Sequence, residues 1–110
     1  MGEEQRAEAV ARLQELGYVD DARFALARAK ALAARGAGDL LIADDLGRHG
    51  VCGAVAAAAI ATLDAERGRA LAIVERRGRG PKTARYLASK GFPEDVVEAA
   101  VATRDDEALG

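Results

Sequence analysis

Few residues of this 110-residue chain are equipped for chemistry, and their spacing argues against catalysis. His49 is its one histidine and Cys52 its one cysteine. His49 stands next to Gly50 in the last turn of an apolar-periodic segment. An imidazole there complements the negative end of a helix dipole, and a pH switch is the sharper alternative. Cys52 sits at the start of the following segment. A helix N-terminus can lower a thiol pKa, but the simpler reading is a small residue at a helix start. Asp44 and Asp45 are adjacent, so they lie on neighbouring helix faces and do not converge as an acid–base pair. Gly36-Ala37-Gly38 and Gly78-Arg79-Gly80 each have the form Gly-x-Gly, yet neither follows a strand, which removes the dinucleotide-binding reading. With no Ser–His pair and no metal-ligand spacing, the expectation is a protein that is not an enzyme, with no cofactor, no metal and no small-molecule substrate.

Binding is the chemistry the residues do favour. Residues 66–91 hold eight basic and two acidic side chains, a balance of +6 inside a chain whose total is −2. The acids gather at the ends, in residues 1–21 and 92–110. Arg76, Arg77, Arg79, Lys82, Arg85 and Lys90 are the candidate partner-binding residues, because clustered cations draw a polyanion or an acidic protein groove. The plainer alternative is a solvated helix face. Tyr18, Phe24, Tyr86 and Phe92 are the only aromatics. Phe24 and Phe92 are expected to pack in the core; Tyr86, between Arg85 and Leu87, is a candidate for the surface, with contact to a partner as the sharper alternative to a plain surface residue.

Helices must position these groups. Half of the residues are hydrophobic, but much of that half is alanine, which favours helix and buries little area. The core should be thin, with a net stability of only about a few kcal/mol. One cysteine permits no internal disulfide or zinc cluster and suits a reducing compartment. The acidic Met1-Gly2-Glu3-Glu4 start is unlike a signal peptide, and the alanine-rich run 54–61 is too short to span a bilayer. A cytoplasmic protein without membrane contact is expected.

Glycines punctuate the pattern. A helix over 3–16, with Val10, Leu13 and Leu16 on one face, is expected to stop at Gly17. Asp20 or Asp21 would cap the next, from about Ala22 to Arg35, ended by Gly36 and Gly38. Asp39 would cap a helix carrying Ile42 and Leu46 that ends at Gly50, with Val51 folding back as the apolar contact of the cap. Val55, Ala59, Ile60 and Leu63 mark another. The order then recurs: Ala70, Leu71 and Val74 before Gly78; Pro81 in a first turn, with Ala84, Leu87 and Ala88 before Gly91; and Phe92 followed by a helix opened by Pro93 and carrying Val96, Ala100 and Val101. Gly36 and Gly38 match Gly78 and Gly80 at an offset of 42, and Gly50-Val51 matches Gly91-Phe92 at 41. No strand alternation occurs. The prediction is all-α: tandem three-helix repeats stacked into a curved, elongated domain. It divides as a leading helix over 1–18, repeats over 19–63 and 64–104, and an acidic tail over 105–110.

The stretch Leu16-Gly17-Tyr18-Val19-Asp20-Asp21-Ala22-Arg23-Phe24-Ala25 resembles a junction of the RecX family. The likeness continues through Arg35-Gly36-Ala37-Gly38, Ile42, Leu46, Gly50-Val51 and Leu87-Ala88-Ser89-Lys90-Gly91-Phe92, and covers about residues 10–102. RecX proteins are tandem three-helix repeats that bind along the RecA filament on DNA and restrain its recombinase activities. The resemblance therefore implies a regulator of recombination, DNA repair and the SOS response. Its implied partner is a RecA-type recombinase filament on single-stranded DNA, with weak or indirect contact to nucleic acid. Family members commonly carry a further N-terminal repeat, of which residues 3–16 look like the last helix. Where the family tends to have proline and then basic residues after the second glycine, this chain has Asp39, Leu40 and Leu41. A cap position that is often acidic in the family is Cys52, followed by Gly53. Pro81, Lys82 and Arg85 keep the pattern better, which points to the second repeat for docking.

Two rival readings come from other classes. Lys90-Gly91-Phe92-Pro93 through Thr103 also resembles the helix junction of ubiquitin-associated-type modules that bind proteins. A helix-turn-helix DNA binder would use 81–90 as its recognition helix, although a pI near 5.4 is low for that role. Neither accounts for the repeat.

Overall fold

The computed structural model describes the backbone of residues 3–102 and the side chains of residues 19–102. Among these residues six helices follow one another: α1 (Glu3–Ala34), α2 (Asp39–Arg48), α3 (Gly53–Ala61), α4 (Glu66–Arg77), α5 (Pro81–Ser89) and α6 (Glu94–Ala102). The described residues contain no strand, and they form an all-α helical repeat domain. The molecule measures 71 × 27 × 20 Å along its principal axes.

The expected break at Gly17 is absent. α1 runs unbroken through it, so Asp20 and Asp21 are exposed mid-helix residues and cap nothing. A lone interior glycine costs a helix only about 1 kcal/mol relative to alanine, and the flanking residues are strong helix formers. The division placed after residue 18 thus falls inside one helix. The apolar face assigned to Val10, Leu13 and Leu16, the side chain of Tyr18 and the acidic tail 105–110 lie outside the described residues.

Helices pair within each half: α1 packs on α2 and α3, and α4 on α5 and α6. Each triplet has its own core. The first contains Ala25, Ala29, Ile42, Leu46, Val51, Val55 and Ala59; the second contains Ala70, Ile73, Val74, Leu87, Phe92, Val96 and Ala100. Helix ends are set by glycine. The N–H of Val51 bonds the Leu46 carbonyl and that of Gly50 the Gly47 carbonyl; Phe92 to Leu87 and Gly91 to Ala88 repeat this arrangement. These are Schellman turns, with Gly50 and Gly91 at φ of +81° and +88° and Val51 and Phe92 buried as their apolar residues.

Two local expectations change. Phe24 is 40% exposed, with its ring 5.4 Å from that of His49, so it is not a core residue. The inward face of α1 runs through Ala25, Ala29 and Leu32, about 100° round the helix from Phe24. Asp39 is the first residue of α2 and not its cap; Gly38 holds the cap position without a side-chain bond.

Candidate functional site

The two triplets meet where the start of α2 touches the end of α5. The Gly38 N–H donates to the Lys90 carbonyl at 2.7 Å and the Leu40 N–H to the Gly91 carbonyl at 3.1 Å. Between them, the Asp39 N–H donates to Glu66 Oε2 at 2.7 Å. The first donors of α2, which no residue of their own helix can satisfy, are thus satisfied by the other triplet. Arg69, only 12% exposed, spans the same joint: it donates to the Ala37 carbonyl at 2.9 Å, to the Asp64 carbonyl at 3.0 Å and to the Asp39 carboxylate. Burial at this joint pushes the Glu66 carboxyl above its usual range, against the lowering effect of the Asp39 N–H.

That joint fixes a cleft of about 270 Å³ beside it, lined by Ala34, Arg35, Gly36, Ile73, Arg76, Arg77 and Tyr86. Two helix C-termini meet at it: α4 brings Arg76 and Arg77 from its last turn, and Arg35 follows directly on the end of α1, positions where the helix dipoles favour cations. The Arg77 guanidinium lies 3.7 Å from the centroid of the Tyr86 ring, a cation–π contact that holds the ring at the cleft wall. Gly36, at φ +90°, forms the floor. A Cβ there would lie 3.7 Å from the Tyr86 hydroxyl and 3.9 Å from Lys90 Cε, which places Lys90 at the rim. Among the described residues no acidic side chain lines the cleft.

Of the six basic residues singled out in the sequence, Arg76, Arg77 and Lys90 are brought together here. Arg79 lines a separate cleft with Val74, Glu75 and Gly78. Lys82 and Arg85 are exposed on α5 and do not line either one. Arg35 was missed as a site residue. Its signal was the match of Arg35-Gly36 with Arg77-Gly78, which puts an arginine at the same helix end in both repeats.

The remaining chemistry-bearing residues serve structure. His49 is the C-cap of α2, with Nδ1 placed to donate to the Asp45 carbonyl at 2.8 Å. Asp45 accepts two 2.8 Å bonds from Arg28, which hold its carboxyl below the usual carboxylate range and the guanidinium above its own. Asp44 pairs with Arg48 at 3.0 Å on the surface. Cys52 is exposed at the cap position of α3 and makes no side-chain cap bond. Among the described residues no group of three or more His, Cys, Asp or Glu side chains could hold a metal ion. No helix among them is long and apolar enough to cross a membrane.

No family model matches the chain. Curated relatives do match it: proteins named Regulatory protein RecX from Xanthomonas oryzae pv. oryzae strains MAFF 311018 and PXO99A are each 37% identical over 102 residues. The match takes in 84% of this chain and 64% and 63% of those relatives, so the chain spans just under two thirds of their length. The family that the glycine-punctuated repeat resembled is the one these proteins carry in their name, and the chain is similar to RecX proteins over most of its own length.

Proposed function

We propose that this chain is a non-catalytic regulator that binds the RecA recombinase, or its filament on single-stranded DNA, and lowers recombinase activity. The observation that carries the reading is the cleft in which Arg35, Arg76 and Arg77, with Lys90 at the rim, gather around Tyr86. Cations drawn from both triplets and fixed by one joint present a shaped positive surface, suited to an acidic protein groove or to phosphates held in a filament. The acidic residues in 1–21 and 92–110 oppose a bare polyanion, so the filament and not free DNA is the partner.

Pull-down with recombinase filaments on single-stranded DNA, run beside bare DNA, tests this. The chain should bind filaments and bind bare DNA weakly. The triple variant Arg35→Ala/Arg76→Ala/Arg77→Ala should lose filament affinity while keeping its helical circular dichroism, and the gap should close as salt rises. Equal binding by the variant at low salt would make the cleft a solvated face. Bare DNA bound as tightly as filament would make the chain a nucleic-acid binder.

A further inference from the structure

The joint between the triplets is a template, and the chain carries both halves of it a second time. Inside the molecule, the Lys90-Gly91 turn seats on Gly38-Asp39-Leu40 so closely that neither glycine tolerates a side chain. A Cβ on Gly38 would lie 2.5 Å from the Gly91 carbonyl oxygen, and a Cβ on Gly91 2.5 Å from the Leu41 N. The repeat offset pairs the first surface with His49-Gly50 and the second with Gly80-Pro81-Lys82. Both counterparts are open among the described residues: a Cβ on Gly50 or Gly80 would meet nothing of them within 4 Å.

Gly80 is the telling residue. Its backbone, φ −78° and ψ 172°, is nearly that of Gly38, φ −85° and ψ 172°. Any residue can adopt that extended conformation. At Gly38 it is the carbonyl of the neighbouring turn that demands glycine; at Gly80 nothing among the described residues does. The polar groups agree with this. In the internal joint Glu66 accepts the Asp39 N–H, whereas Pro81 has no N–H to satisfy. The core positions Ala29, Leu32 and Ala33 align with Ala70, Ile73 and Val74 at an offset of 41, which puts Ala25 where Glu66 stands. The donor and its acceptor are missing together. Exposed Phe24, against His49 at the open turn, supplies apolar surface for a neighbour to cover.

We infer that the chain associates head to tail with a second copy of itself, the Gly50 turn of one copy seating on the Gly80 end of α5 in the next. The Gly80 and Lys82 N–H groups then donate to the His49 and Gly50 carbonyls, as Gly38 and Leu40 donate to Lys90 and Gly91. Such a contact joins two different surfaces, so it does not close on itself and extends with concentration.

Sedimentation equilibrium over a wide concentration range tests this, in reducing buffer so that exposed Cys52 forms no disulfide. The weight-average mass of the wild type should rise steadily with concentration, passing the dimer. Gly80→Leu, whose Cβ meets nothing within 4 Å among the described residues, should keep the wild type's helical circular dichroism and stay monomeric. Because its Gly50 turn is intact, an excess of Gly80→Leu should cap wild-type assemblies and lower their mass. A wild type that stays monomeric, a mass that stops at the dimer, or a Gly80→Leu variant that assembles as the wild type does would each overturn the inference. The measurement involves no recombinase, so its outcome is separate from that of the filament pull-down.

Discussion

The two triplets share one topology but are made of different materials. Among the described residues, five of the nine buried in the first core are alanine; in the second, two of the eight are, and Ile73, Leu87 and Phe92 provide the bulk. Alanine on α1 lets helices approach closely but buries little area, so the first triplet leans on a polar fastening, Arg28 with Asp45. The second keeps its apolar core and turns Arg76 and Arg77 outward. A repeated fold can therefore divide labour, with one copy spending its charges on itself and the other presenting them.

The largest test of that contrast is a pair of aromatic truncations. Phe92→Ala removes a ring from the second core and should cost about 3–5 kcal/mol in denaturant unfolding. Phe24→Ala, from the surface of the first, should cost about 0.5 kcal/mol or less. Similar losses would mean that the two rings have similar surroundings.

Next is the joint. Gly38→Ala places a methyl against the Gly91 carbonyl and should destabilise by about 1–3 kcal/mol, the usual range for overpacking. Gly80→Ala, at the matching but open position, should be close to neutral, the poorer helix cap offsetting the smaller entropy of the unfolded chain. Thermal melts of the two variants compare the positions directly, and equal effects would remove the distinction between a filled and an open surface.

Smaller effects should appear with pH, and with opposite signs. Burial raises the Glu66 carboxyl, so between its ordinary and raised values the folded chain holds a proton that the unfolded chain has lost. Stability from this group falls as pH rises through that window and returns on mild acidification. The Arg28 hydrogen bonds lower Asp45, so between its lowered and ordinary values the unfolded chain holds the extra proton. Its contribution is present above the ordinary value and is lost as pH falls through the lowered one. Melts across the acid range should show Glu66→Gln flattening the upper window and Asp45→Asn the lower. An unchanged upper slope in Glu66→Gln would mean that the joint is more hydrated than its burial implies.

Much of this was legible in the sequence where the governing interactions are local. Gly50-Val51 and Gly91-Phe92 announce their turns because a positive φ followed by an apolar residue is a requirement of neighbouring residues. Gly17 has the same composition of neighbours but an interior fate, since the energy separating a stop from a tolerated glycine is small and is decided by the rest of the helix. Phe24 was assigned to the core by its size, while the register of Ala25, Ala29 and Leu32 already marked a different face. The basic cluster was visible as composition, but composition could not separate Arg77, stacked on Tyr86, from Arg69, which is consumed at the joint. The Arg69–Asp39 pair spans thirty residues, and no periodicity reports a contact of that range.

The way α2 begins also determines how the molecule comes apart. Two separate cores would ordinarily permit one half to open while the other stays folded. Here the amides of Gly38, Asp39 and Leu40 belong to the first half and their acceptors to the second. Any separation of the halves exposes all three protons to solvent at once, and no fraying within α2 is needed to do so. Their exchange with deuterium is thus a built-in gauge of the distance between the halves, readable without a label. Exchange at these three sites at the rate of global unfolding marks a chain that opens as one cooperative body; faster exchange marks a hinge.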